Sequence, residues 1–182
     1  MLSKIKSFID NHVLLTNMLL SGTLGVAGDG ISQLALEKRK ISDFDCSRSI
    51  RFFVVPCFYV APVLVKFFPL LNKVSGSDKT KPLKMIILEQ LCFAPIFSST
   101  VFISFRVSSG FSFTEGYESL KREFIEMYKT SLQLWPLIQL INYYIIPSHY
   151  RVFITQLAAL GRNIFISYKL NKDVEKHNSE KN

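Results

Sequence analysis

The sequence predicts an all-α integral membrane protein: a bundle of four principal transmembrane helices with one further amphipathic helix at the interface. The first observation behind this is distribution. Hydrophobic residues make up 48% and charged residues 20% of the 182 residues, and the charges gather in short segments between long apolar stretches. The second is length. A bilayer core needs about 20 apolar residues per helix, and three stretches meet that comfortably. The third is content: glycines and prolines interrupt these stretches, as membrane helices tolerate when neighbours satisfy the freed backbone groups.

The first span covers about 13–36 and ends at the charged turn EKRKISDFD. The second, about 47–71, contains FFVVPCFYVAPVLV with Pro56 and Pro62. The segment NKVSGSDKTKP reads as a loop on its Gly, Ser, Asp and Pro content. The third span is about 83–105, with Pro95 near its middle, and 106–114 is a further loop. Residues 115–129 form the amphipathic helix, because Tyr117, Leu120, Phe124 and Tyr128 recur at spacings of three and four opposite Lys121, Arg122 and Glu126. A kinked helix at 132–147, LQLWPLIQLINYYIIP, leads into the last span at about 150–168. Residues 1–170 are thus one helical domain, with MLSKIKSFIDNH as an interfacial lead-in and 171–182 as a disordered polar tail. Basic residues divide almost evenly between the two sides, so the positive-inside rule gives no orientation.

The net charge of +8 is spread over loops and both ends with no aromatic-laced stripe, so no nucleic-acid partner is predicted; the bilayer is the partner. Cys46, Cys57 and Cys92 have no metal or disulfide spacing, so neither metal nor cofactor is expected. The glycines at 25, 28 and 30 follow no strand, and there is no phosphate-binding GxxxxGK[ST] loop. His12, His149 and His177 stand apart from any cysteine or paired carboxylate. With no nucleophile beside a base, the chain is not expected to be an enzyme.

The polar residues inside the spans pose the functional question. Ser21, Gly25, Asp29 and Gln33 are four apart and form one stripe beside Gly22, Val26 and Gly30. Gly22, Gly25, Gly28 and Gly30 are read as helix-packing positions. Asp45, Arg48 and Arg51 open the second span, Lys66 follows, Glu89 and Gln90 sit in the third, and Gln139 and Asn142 share a face with Trp135 before Arg151. A charge at the bilayer centre costs about 2.5–3.5 kcal/mol on insertion scales, so these groups cannot all face lipid. Asp29 and Glu89 are too short to snorkel and need a cation or water. Arg51, Lys66 and Arg151 are the candidate cations, with the pairing left open. Asp29, Gln33, Arg48, Arg51, Glu89, Gln90, Gln139, Asn142 and Arg151 are therefore candidates for a pore lining or an intramembrane polar network.

Six pieces arrive in a familiar order: GDGISQ (28–33), Asp45-x-x-Arg48-x-x-Arg51, Ala61-Pro62, Glu89-Gln90 with Pro95, LWPLIQLINYYIIPSHYRV (134–152) and LGRNIFISY (160–168). Together they resemble the family of small membrane proteins named for Mpv-seventeen and the twenty-two-kilodalton peroxisomal membrane protein, and nearer the Mpv-seventeen branch. The WPxxQxxNxxxxP run, Trp135 to Pro147, is the most specific piece. The resemblance implies four spans in the mitochondrial inner membrane, or alternatively the peroxisomal membrane. It also implies a non-selective channel or permeability factor linked to membrane potential, reactive oxygen species and mitochondrial DNA maintenance. The chain departs from the family pattern at Ala61, at Phe67-Phe68 in place of Trp-Tyr, at Glu89 in place of Asp, and at Arg162 in place of Trp.

Two functions follow as expectations. One is a weakly selective channel lined by the polar groups above, its solute unspecified, with a homo-oligomer as one way to enclose a wider path. The other is a non-conducting scaffold in which the same groups glue helices together.

Overall fold

The computed structural model describes residues 12–77, 79–146 and 151–181. The described residues are helical throughout, with no strand among them. In chain order the helices are α1 (Val13–Ile31), α2 (Cys46–Val55), α3 (Ala61–Leu71), α4 (Lys81–Leu88), α5 (Ala94–Ser108), α6 (Phe113–Tyr144) and α7 (Arg151–Lys181). A π turn follows α1 at Ser32–Leu36, another joins α2 to α3 at Pro56–Val60, and a third joins α4 to α5 at Glu89–Phe93. Two continuous helical stretches, Cys46–Leu71 and Lys81–Ser108, are long and apolar enough to cross a membrane. They lie within a few residues of the expected second and third spans. The predicted lead-in at 1–11, together with Pro147 and His149, lies outside the described residues.

Two expectations about helix boundaries are corrected. The amphipathic helix and the kinked helix are one element, α6, which passes through Pro136 without a break. Nothing at 129–132 (Lys-Thr-Ser-Leu) is a helix breaker, and the loss of one backbone donor at Pro136 is tolerated. α6 starts on a capping box in which Ser112 and Glu115 satisfy each other's backbone N–H groups. Its inner face carries Gly116, Ser119 and Leu120, while Tyr117 is exposed with Lys121 over its ring. The expected disordered tail is likewise helical, since α7 runs to Lys181. From Lys169 onward there is no Gly or Pro, and Lys and Glu are good helix formers.

The chain groups into two compact units. One contains the described residues of Met1–Pro62 and Gln156–Asn182; the other is Val63–Thr155. Sequence order hides this, because α7 joins the N-terminal helices from more than a hundred residues away. The core of the first unit includes Phe52, Val55, Cys57, Val60 and Leu170. That of the second includes Leu71, Met85, Ile86, Phe97, Val101, Phe102 and Phe105. There Phe67, one of the departures from the family pattern, stacks on Phe93 with ring centroids 3.6 Å apart, and Phe93 stacks on Phe97. Arg106 is buried between the rings of Phe102 and Phe111 and donates to Glu123 at 2.9 Å.

Both units bury polar groups beside their apolar cores and expose large apolar side chains. Asp29, Ser32, Gln33, Arg48, Glu89 and Gln90 are buried, whereas Phe58, Leu91 and Ile96 are more than 60% exposed. In water this arrangement would be costly; in lipid it is the expected one.

Candidate functional site: a saturated clasp and an open polar cluster

α1 and α2 meet through glycine. A Cβ on Gly25 would sit 1.8 Å from the Phe52 carbonyl oxygen, and one on Gly22 would sit 2.7 Å from the Phe53 ring. Pro56 lies four residues after Phe52 and has no N–H to offer that carbonyl, which instead turns against the Gly25 backbone. Gly28 faces α7, where a Cβ would come within 2.7 Å of Asn163 Cβ. A Cβ on Gly30, by contrast, would meet nothing within 4 Å in this chain.

This close approach brings Asp29 against two helices. Its Oδ2 accepts from Gln33 Nε2 at 2.8 Å and Ser49 Oγ at 2.5 Å. Its Oδ1 accepts from Ser167 Oγ at 2.6 Å and lies 2.7 Å from Arg48 Nε, an ion-pair contact without hydrogen-bond alignment. The Arg48 fork then grips Glu37, with Nη2 to Oε1 at 2.6 Å and Nη1 to Oε2 at 2.9 Å. Nη2 also donates to Ser167 Oγ at 2.6 Å. Glu37 further accepts from Ser32, from Arg39 Nε at 2.9 Å and from Asn171 at 3.2 Å. Gln33 spends the rest of its amide on the backbone of Asp45, taking its N–H at 2.7 Å and reaching its carbonyl at 3.1 Å. Asp45 in turn caps α2 by accepting from Arg48 N at 2.8 Å. The Asp-x-x-Arg-x-x-Arg spacing therefore has a local meaning. The Asp caps the helix, the first Arg turns inward to bridge two carboxylates, and the second stays at the rim, 4.0 Å from Asp45.

The cation against Asp29 among the described residues is thus Arg48, and not Arg51 or Lys66. Arg51 is the rim residue, Lys66 is exposed, and the Arg151 side chain lies outside the described residues. Glu37, Ser32, Ser49 and Ser167 belong to the clasp and were not singled out from sequence; three lone serines beside an apolar face were the available signal.

Burial pushes the Glu37 carboxyl up, but hydrogen bonds and charge from Arg48, with Ser32 and Arg39, outweigh it and hold the group below its ordinary value of 4.5. The sign follows: a depressed carboxylate stabilises the fold above pH 4.5 and loses that contribution as the pH falls through its folded-state value. Thermal unfolding of the protein in detergent is expected to be flat near neutrality and to weaken in acid below pH 4.5, with Glu37→Gln removing part of that acid dependence. An unchanged acid limb in Glu37→Gln would show that Glu37 is not coupled to folding.

The second unit holds a different arrangement. Glu89 and Gln90, consecutive at the start of a π turn, are both buried. Trp135 Nε1 donates to Glu89 Oε1 at 2.9 Å, and Gln139, one turn on, also hydrogen-bonds this carboxylate. Glu89 has no salt bridge among the described residues. Tyr128 donates to the Gln90 backbone carbonyl at 2.7 Å. The Gln90 side chain is only 3% exposed, yet neither its Oε1 nor its Nε2 finds a partner among the described residues. Asn142 donates to Thr155 at 2.9 Å, and its Oδ1 is likewise unpaired there. Of Trp135, Gln139 and Asn142, the first two meet Glu89 and the third pairs with Thr155.

Buried ion pairs within an apolar exterior, glycine-mediated helix contacts and membrane-length helices define a multi-helix integral membrane protein. The chain belongs to the Mpv17 / PMP22 family, whose family model matches residues 106–167. It is 31% identical over 172 residues to the mitochondrial inner membrane protein Mpv17 of Caenorhabditis elegans, covering 94% of this chain and 93% of that one. Similarity to the proteins of the same name from Danio rerio (29% over 168 residues, 92% and 95% covered) and Homo sapiens (30% over 162 residues, 88% and 92% covered) is comparable. No solved structure matches the chain. With these relatives, it is a protein of the mitochondrial inner membrane.

Proposed function

We propose that the chain is a weakly selective channel of the mitochondrial inner membrane, with no enzymatic activity. In this reading it has four transmembrane helices: Val13–Leu36, Cys46–Leu71, Lys81–Ser108 and the first part of α7. Its path is lined by Glu89, Gln90, Gln139 and Asn142. The observation that supports this is Gln90. A buried amide without a hydrogen-bond partner costs roughly 2–7 kcal/mol in apolar surroundings. Membrane helices place such groups where water or solute reaches them. Charge and pore width, rather than a fitted pocket, then set selectivity. The roles in membrane potential, reactive oxygen species and mitochondrial DNA maintenance that the family resemblance implies would follow from such permeability.

The test is planar-bilayer recording from purified wild-type protein across a KCl gradient. Discrete current steps are expected, with Glu89→Gln shifting the reversal potential. Folded, inserted protein that stays silent would contradict the channel. It would favour the second reading, a non-conducting scaffold, for which the neutralised Asp29–Arg48–Glu37 clasp speaks.

A further inference from the structure

We propose that Tyr128 is a positioning residue of the polar cluster: its hydroxyl holds the π turn at Glu89–Phe93, and through that turn the inward placement of both Glu89 and Gln90. For its effect on conduction this rests on the path proposed above. All the residues concerned lie within the compact unit Val63–Thr155.

The need for such a residue comes from Pro95. In an α-helix the carbonyl of residue 90 accepts from the N–H of residue 94, and in a π turn from that of residue 95. Neither donor is at hand. The Ala94 N–H goes to the Glu89 carbonyl, five residues back. Pro95 has no N–H. The Gln90 carbonyl is thus passed over by its own helix, within a stretch of membrane-spanning length where bulk water does not replace a missing donor. Tyr128 supplies the bond from α6, its hydroxyl donating at 2.7 Å. The Tyr128 ring is half-buried and stacks on Phe124 with centroids 5.6 Å apart, which steadies the hydroxyl.

Without that bond, the nearest backbone donor for the Gln90 carbonyl is the Ala94 N–H, taken from Glu89. The turn then returns to α register and loses its extra residue. The helix before it rotates by about 100° relative to the helix after it. Glu89 and Gln90 cannot both stay inward after such a rotation, and Glu89 withdraws from Trp135 Nε1, now 2.9 Å from its Oε1. Trp135 is the sole tryptophan of the chain, so its indole N–H reports directly on the turn.

The test is hydrogen exchange of that indole N–H, followed by NMR in full-length protein labelled with ¹⁵N-tryptophan and ¹⁵N-phenylalanine, in detergent. Tyr128→Phe keeps the stacked ring and removes only the donor. It should speed exchange at Trp135 roughly tenfold, the order expected for loss of one hydrogen bond to a buried group. The buried Phe102 amide in α5 should exchange as in wild type. Tyr117→Phe, at an exposed position of the same helix, should change neither. Pro95→Ala returns an N–H where the Gln90 carbonyl can use it. The double variant Tyr128→Phe/Pro95→Ala should therefore fold and exchange like wild type, even if Tyr128→Phe alone yields no folded protein. Unchanged exchange at Trp135, equal acceleration at Trp135 and Phe102, or no rescue by Pro95→Ala would each overturn the proposal. In planar bilayers, Tyr128→Phe should carry a reduced unitary current; wild-type current beside accelerated exchange would overturn the link to conduction. Wild-type protein that is silent while Tyr128→Phe accelerates exchange selectively would contradict the channel and uphold the positioning role.

Discussion

Arg48→Met is expected to destabilise the protein by about 3–5 kcal/mol, the loss typical of removing one partner from a buried ion pair. The effect is large because Arg48 serves two carboxylates. Without it, fully buried Asp29 keeps only neutral donors and Glu37 loses its fork. Arg48→Lys restores the charge but not the planar two-pronged geometry, so it should fall between wild type and Arg48→Met. Cys57 offers a direct readout, since its thiol is buried in the core of the same unit. In a background with exposed Cys46 and Cys92 changed to serine, a thiol-reactive dye should label Cys57 at a much lower temperature in Arg48→Met. Matching labelling curves for Arg48→Met and wild type would mean that the clasp contributes little to folding.

Gly25→Ala is expected to cost about 3 kcal/mol, at the upper end for forcing a methyl into a packed site. The new carbon would meet a backbone oxygen at 1.8 Å, and a backbone carbonyl cannot rotate aside as a side chain can. α1 and α2 must then separate, which also strains the Asp29–Ser49 and Gln33–Asp45 contacts. Gly30→Ala is the internal control. With nothing within 4 Å it should be neutral, or stabilising by up to about 1 kcal/mol through helix propensity. Comparable losses at positions 25 and 30 in the same unfolding assay would show that the cost is general to glycine replacement and not a matter of this contact.

Much of the fold is legible in the sequence because apolar length and interruptions by charge are local signals. Helix starts at Val13, Cys46 and Lys81 follow from where charges end and apolar runs begin. The site is legible only as a set of residues. Asp29, Arg48, Glu89 and Gln139 are conspicuous for being polar within apolar runs, but their grouping into two separate clusters depends on contacts such as Arg48 to Ser167, 119 residues apart. The π turns are a second obscured feature. Each inserts a residue into the helical count, so Ser32 and Gln33, or Glu89 and Gln90, both become buried although they are neighbours in sequence. The stripe drawn through Asp29 leaves open whether it faces another helix or water. The structure places Asp29 at 0% exposure with hydrogen bonds to both oxygens, whereas both polar side-chain atoms of Gln90 and the Oδ1 of Asn142 are among the buried atoms without a partner among the described residues.

The central claim is that these two clusters do different work: the saturated one holds helices together and the open one lines the path. Single-channel recording of Asp29→Asn beside Gln90→Leu, in the same planar bilayers, tests it most directly. Asp29→Asn molecules that fold should incorporate less often but carry wild-type unitary current and reversal potential. Gln90→Leu should incorporate normally and carry a reduced unitary current. The opposite pattern, with altered current in Asp29→Asn and unchanged current in Gln90→Leu, would contradict the assignment and move the path to the first helix.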